Sequence, residues 1–439
     1  MSLTDKISAK LVPVAAKLNG QRHLTAIRDS FIVTMPLIMA ASVFILLNAL
    51  LFSNAAVNKI IDLSKLADLA TMTNNATLGI LAILVAYNIG INLATWYEAN
   101  GNINSKAFTP NHAGGLSVCL MFLMMPIQTT VTLTSGKTAA VTGIYSQDLT
   151  SSSGLFLAMF AGILGTEIFV RLSKVEKLRI KMPDSVPPAV ASTFNSLIPE
   201  VLVIIMVAIP IYLIKAFTGM SIPDIITIVI QTPLKGLVLS GVGMIVIQFI
   251  SDTLWVFGLH GSSILSPITV APQLESIQEN MQAFAAHKTI PNIVNAPFLG
   301  SYGMLGGGGC VLALLIAIFL VSKRKEQKDI AKLAIGPSLF NIAEPVMFGL
   351  PVVMNPIFMI PTAIIPSINL SLAYMLTKIG ILGKMVAISP WITPPVLQTW
   401  ISTAGNIPAT VFTILLLIMD ILIYIPFVIA SNKVNQSED

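Results

Sequence analysis

"NIAEPVMFGLPVVMNP", residues 341–356, sets a carboxylate directly before a proline inside an otherwise apolar run. Glu344 is flanked by apolar side chains, and Pro345, Pro351 and Pro356 each remove a backbone donor, so no continuous helix carries it. The surroundings decide what such a segment is. Of 439 residues, 55% are hydrophobic and 10% charged, against about 25% charged in ordinary soluble domains. Several apolar runs reach the roughly 20 residues needed to cross a ~30 Å hydrocarbon core. The chain therefore reads as an all-α polytopic membrane protein. Broken backbone at membrane depth is tolerated only where protein buries it or where it lines an aqueous cavity.

A second stretch shares this character: "AISPWITPPVLQTWISTAGNIP", residues 387–408. Paired Pro/Gly-interrupted apolar segments are the sequence mark of a transporter's binding site. The two stretches, 334–351 and 387–408, are accordingly expected to be re-entrant hairpins meeting near the midplane. Spanning segments are expected over about 31–53, 78–97, 114–133, 154–172, 193–217, 304–321, 354–376 and 408–430. The basic stretches "RLSKVEKLRIK" (171–181) and "SKRKEQKDIAK" (322–332) belong in the cytoplasm, as does the basic N-terminus. Parity then requires 222–259 to cross twice or not at all. Two crossings, broken at "QTPLKG" or "LSGVG", give ten spans with both termini inside; one surface helix plus one span would break the parity. Ile7, Leu11, Val14 and Leu18, with Lys6, Lys10 and Lys17 beside them, predict an amphipathic surface helix within 5–28.

Composition also excludes several classes. The net charge of +5 comes from clusters between apolar runs, where topology-setting charge lies, and is no signal for nucleic acid. Cys119 and Cys310 are far apart, without a CxxC partner or a nearby histidine, so neither a metal site nor a redox pair is expected. No cofactor is implied. The long basic segment before the first apolar run argues against a cleavable signal peptide. After Ala430 only nine residues remain, so no appended soluble domain is expected.

Ionisable residues inside apolar segments are functional candidates, because each costs a few kcal/mol at the bilayer centre. Here they are Glu167, Glu200, Lys235, Asp252, His260, Glu344 and Asp420. Glu167, next to the basic loop, reads as interfacial. Glu200 and Asp420 read as helix caps or cross-links, and Lys235 as a snorkelling side chain. Glu344 differs because its backbone is broken: with Asn341 and the freed amides it can form a hydroxyl-binding cluster. The plainer alternative is that Glu344 satisfies its own hairpin's amides. "ISDTLWVFGLHGSS" (250–263) adds Asp252, Trp255 and His260. Trp391 lies inside the second interrupted stretch, where an aromatic platform suits the apolar face of a sugar. Trp255, Trp391 and Trp400 also fit an interfacial belt. "GSYGMLGGGG" (300–309) lacks the Lys-Ser/Thr of a phosphate loop and reads as a hinge or a point of close helix packing.

Four motifs together carry a family. "KMPDSVPPAVASTFNSLIP" (181–199), "FGLHG" (257–261), "NIAEPVMFGLPVVMNP" and "SPWITPPVLQTW" resemble the sugar-translocating IIC component of bacterial phosphotransferase systems, in its lactose/cellobiose/diacetylchitobiose branch. The likeness runs over nearly the whole chain. It implies a homodimer in the bacterial plasma membrane. The N-terminal five helices would form the dimer-facing scaffold (31–220), and residues 221–430 a transport domain that carries one disaccharide in the manner of an elevator. Residues 1–30 would be the amphipathic segment and 431–439 a polar tail. The resemblance puts Glu344 and His260 near the sugar's C6 hydroxyl, as the catalytic pair. Asn341, Asp252, Trp255, Gly261, Trp391 and Thr393 are the expected substrate-binding set. A separate IIB subunit, charged through IIA upstream, would deliver the phosphoryl group from its phosphocysteine; this chain carries no phosphoryl-accepting residue of its own.

The rival class is a proton-coupled secondary transporter using Glu200, Asp252 and Asp420 as a relay and releasing unmodified sugar. A channel fits less well, since no span shows a ring-forming polar filter.

Overall fold

A computed structural model describes residues 13, 17, 20–100, 109–132, 137–180, 182–183, 185–350 and 352–434. It is built almost entirely from helices. The exception is a two-stranded antiparallel ribbon, Gln128–Thr132 with Thr138–Thr142, in which Gln128 faces Thr142. Among the described residues seven helices are long and apolar enough to cross a membrane. An eighth candidate is the pair Ile222–Val238 and Gly241–Val256, bent by 77°.

That count falls short of the ten crossings read from sequence, at two places. The segment expected over 114–133 becomes the helix Pro110–Met124, which ends before Pro126 and continues as the threonine-rich ribbon. At about 1.5 Å per residue its 15 residues reach only about 22 Å. The stretch 222–259 does break at "LSGVG". Ser240 Oγ accepts from Gly243 N–H at 2.9 Å and caps the second helix. A Cβ on Gly243 would run into the Leu237 carbonyl, so the sharp bend needs glycine there. The amphipathic helix expected within 5–28 falls largely outside the described residues; from Arg22 the chain is one helix to Leu47.

The chain divides into two compact units. One comprises Gln21–Ile38 and Asn74–Leu234. Its helices Leu81–Ala99, Pro110–Met124 and Leu155–Ser173 pack through small residues: Gly90 lies against the Ala113 carbonyl, Gly114 against the Tyr87 ring and Gly162 against Ile89. Close approach of this kind drives association where lipid offers no hydrophobic contrast. Glu167 is the polar node of the unit. It accepts from Arg22 Nε at 3.0 Å and from Tyr97 Oη at 2.8 Å, and its other oxygen lies 3.5 Å from Arg171. His23 Nε2 lies 2.7 Å from it. Glu200 Oε1 lies 3.6 Å from His112 Nδ1 of the helix Pro110–Met124.

The other unit contains Met39–Thr73 and the chain from Lys235 onward. Residues 39–73 thus pack with the C-terminal half, although sequence order groups them with the first. Lys235 does not snorkel alone: it meets Glu275 at 3.0 Å and Glu279 at 3.4 Å, both from the helix Gly261–Ala285. All the broken-backbone segments singled out above lie in this unit.

Candidate functional site

Four breaks in helical structure build the site. The first is the turn between Gly241–Val256 and Gly261–Ala285, where Gly258 has φ +81°. His260 is the N-cap of the second helix, its Nδ1 accepting from Ser263 N–H at 3.3 Å. A backbone N–H can only donate, so the neutral ring carries its proton on Nε2. The imidazole lies against the Trp255 indole, with centroids 4.4 Å apart. Gly261 sits against the Ser251 carbonyl, where a side chain would clash; its part is to allow that contact.

The second break is the glycine run. The helix Ala296–Gly303 stops, Gly306, Gly307 and Gly309 take positive φ, Cys310 follows at φ 54°, and the helix Val311–Val321 begins. Gly308 packs on the Trp255 indole and Gly307 on Ala343, as the close-packing reading of this motif anticipates.

The third break joins Lys325–Leu339 to the six-residue helix Glu344–Gly349 through Asn341, which sits at φ 61°. Met354 N–H then donates to the Val256 carbonyl at 2.9 Å, fastening this segment to the His260 turn. The fourth is an extended run leading to the helix Pro395–Ser402. It closes on itself, since Val386 N–H donates to the Ser402 carbonyl at 2.7 Å.

Asn341 joins three of these four breaks. Its Oδ1 accepts from Gly306 N–H at 3.1 Å. Its Nδ2 donates to the Trp391 carbonyl at 2.7 Å and to the Thr393 carbonyl at 2.9 Å. Both side-chain donors are therefore committed to protein. Asn341 and Thr393 are buried, whereas Trp391 is 59% exposed. Glu344 opens its short helix as an exposed side chain. It shows no hydrogen bond to the amides of its own turn among the described residues.

Asp252 is placed differently from the rest of the expected set. It is 1% exposed, accepts from Gln248 Nε2 at 2.8 Å and takes a second bond from Gly309 N–H. It braces the glycine turn behind Trp255 and does not face solvent. The glycine run, read from sequence as a hinge or packing point, also reaches these residues: its Gly306 amide bonds Asn341 and its Gly308 face packs on Trp255. The signal was four consecutive glycines in an apolar run, too many for packing at a single helix crossing.

With this geometry in hand, the comparisons with known proteins are specific. Residues 28–366 match the model of the phosphotransferase system EIIC family, and the chain belongs to that family. It is 33% identical to the lichenan permease IIC component of Bacillus subtilis (strain 168), over 96% of this chain and 92% of that protein. It is 31% identical to the cellobiose-specific EIIC component of Lactococcus lactis subsp. lactis (strain IL1403), with 99% of each covered. The crystal structure of the transporter ChbC, the IIC component from the N,N'-diacetylchitobiose-specific phosphotransferase system, superposes with a TM-score of 0.90 at 29% identity, with 98% of each chain covered. The chain is thus a multi-pass membrane permease whose family implies a sugar substrate and a IIB partner.

Proposed function

We propose that the chain takes up a β-linked disaccharide (cellobiose, diacetylchitobiose or lactose) and presents its C6 hydroxyl to a separate IIB subunit for phosphorylation. The observation that carries this reading is the exposed Glu344 on broken backbone, fixed in the same unit as the His260–Trp255 pair. A carboxylate accepts a hydroxyl proton and orients the oxygen; His260, with its proton on Nε2, supplies a donor. Phosphoryl transfer depends chiefly on alignment and charge stabilisation, so holding that hydroxyl is the main task. A neutral sugar offers no charge to grip, which suits a site of aromatic faces and hydrogen-bonding groups. The sugar names of the relatives support the substrate class. In this reading residues 221–430 carry the sugar by an elevator-like motion and 31–220, apart from the stretch 39–73 that packs with the C-terminal unit, serve as scaffold, with IIA charging IIB upstream. On the same reading the chain works as a homodimer, and the largely uncovered apolar face of the span Val190–Thr218 meets lipid or the second copy. The deciding experiment is the chemical state of accumulated sugar: phosphate on the sugar supports the proposal, and unmodified sugar driven by a pH gradient overturns it in favour of proton coupling. A binding panel of the three disaccharides assigns the substrate.

The aromatic platform gives a graded expectation. Trp391→Ala weakens sugar binding by about 0.5–1.5 kcal/mol, the scale of one aromatic contact. Trp400→Ala does less, because its ring already packs over Gly405. Titration of both variants with sugar checks this, and equal losses would take Trp391 out of the pocket.

Orientation is tested separately. With Cys119 replaced, cysteines introduced at Lys177 and Lys325 should resist a membrane-impermeant thiol reagent added to intact cells. Efficient external labelling of either position rejects the proposal that both basic loops and both termini are cytoplasmic.

A further inference from the structure

Behind the site lies a buried polar cluster that the proposed chemistry does not use. Asp420, on the helix Ile407–Val434, is 0% exposed. Its Oδ2 accepts from Asn369 Nδ2 at 2.8 Å, and Asn369, on Pro356–Lys378, is also 0% exposed. The other oxygen of each group, Asp420 Oδ1 and Asn369 Oδ1, has no hydrogen-bond partner among the described residues. Two buried acceptors are thus left open on two planar groups already joined by one bond. Leaving either unsatisfied is costly, and no ion pair reaches Asp420 among the described residues.

We propose that Asp420 is a resident proton site: its carboxyl carries a proton on Oδ1 and donates it to Asn369 Oδ1, closing a two-bond acid–amide pair. One proton satisfies both open oxygens and removes the buried charge. The neighbours fit a neutral acid. Cys310 Sγ lies 3.5 Å from Asn369 Nδ2 and also contacts Asp420. Tyr424, one turn along, donates to the Gly309 carbonyl at 2.6 Å and lies 3.2 Å from Thr362 Oγ1. Asp252 faces the same cluster from Gly241–Val256. These titratable neighbours are all acids, and none supplies a positive charge. A monovalent cation between the two open oxygens fits less well, because it needs several oxygen ligands and Asn369 Nδ2 and the thiol occupy the adjacent positions. The proton is therefore a fixed structural part, distinct from the mobile proton that a proton-coupled carrier would need.

The test compares Asp420→Asn with Asp420→Leu in the full-length protein. A carboxamide places an N–H where the acid O–H stood, so Asp420→Asn should keep sugar affinity, phosphorylated-sugar yield and melting temperature, each activity within about twofold. Asp420→Leu leaves Asn369 unpaired and should lower the yield of folded protein by roughly tenfold. Infrared difference spectra, wild type minus Asp420→Asn, should show the carbonyl stretch of a protonated carboxylic acid, displaced in heavy water and unchanged by added sugar. A carboxylate band in its place overturns the proposal, as does an acid band that disappears when sugar is added. Sodium that raises the melting temperature of the wild type but not of Asp420→Asn identifies a cation site instead. An Asp420→Asn variant as unstable as Asp420→Leu also refutes the paired acid.

Discussion

Glu344→Gln should bind sugar only somewhat more weakly than the wild type yet lose nearly all transfer. The substitution keeps size and one acceptor but removes the base. A charge-assisted hydrogen bond is about twice as strong as a neutral one, which sets the modest loss in binding. Loss of a general base adds a further factor of roughly 10²–10⁴ in phosphorylation. Glu344 makes no hydrogen bond to its own turn among the described residues, so the variant should fold normally, and the two effects separate cleanly. Glu344→Asp retains the charge but withdraws it by one methylene, giving slower transfer through misalignment. His260→Ala weakens both steps, because it removes a donor and the cap of Gly261–Ala285 together. The measurement is sugar affinity and phosphorylated product, with a charged IIB subunit and equal amounts of folded protein. Wild-type transfer by Glu344→Gln at saturating sugar would end the base assignment.

Asn341→Asp carries the second large effect, and for a different reason. The carboxamide gives both its N–H groups to main-chain carbonyls of the second broken stretch. A carboxylate there aims lone pairs at lone pairs in a buried position. Each carbonyl left unsatisfied costs about 1–3 kcal/mol, so the pair amounts to roughly 2–6 kcal/mol before repulsion is counted. Sugar affinity should fall by about 30-fold or more where the site bears that cost, since 1.4 kcal/mol is a factor of ten. Melting temperature should fall with it. Asn341→Gly accepts φ 61° without strain and loses the same bonds without adding charge, so it should fall between wild type and Asn341→Asp. An Asn341→Asp protein with wild-type melting temperature and affinity would show that the carboxamide fastens nothing.

What the sequence revealed, and what it hid, follows from the range of each interaction. Membrane residence, helical class and the two interrupted stretches were legible because hydropathy and proline are local properties. The break at "LSGVG" was legible for the same reason. The fate of 114–133 was not. Its apolar count suits a span, but the helix stops before Pro126 and a threonine-rich ribbon follows. Long-range partnerships were also hidden. Lys235 reads as a snorkelling side chain until Glu275 and Glu279 appear from forty residues away. Asp252 reads as a pocket residue because it is an ionisable group in an apolar run near Trp255 and His260, yet it is buried, where Gln248 and Gly309 meet it. Asn341 reads as a hydroxyl-binding side chain, and nothing local indicates that its partners are carbonyls about fifty residues downstream.

Asn341 grips the chain at Trp391 and Thr393 only by main-chain oxygens, which every amino acid possesses. The clamp therefore has no stake in which side chain projects from position 391. In the proposed site, a substitution there alters the surface offered to the sugar while leaving the fastening intact, so such a permease could be retailored at that residue without rebuilding its frame.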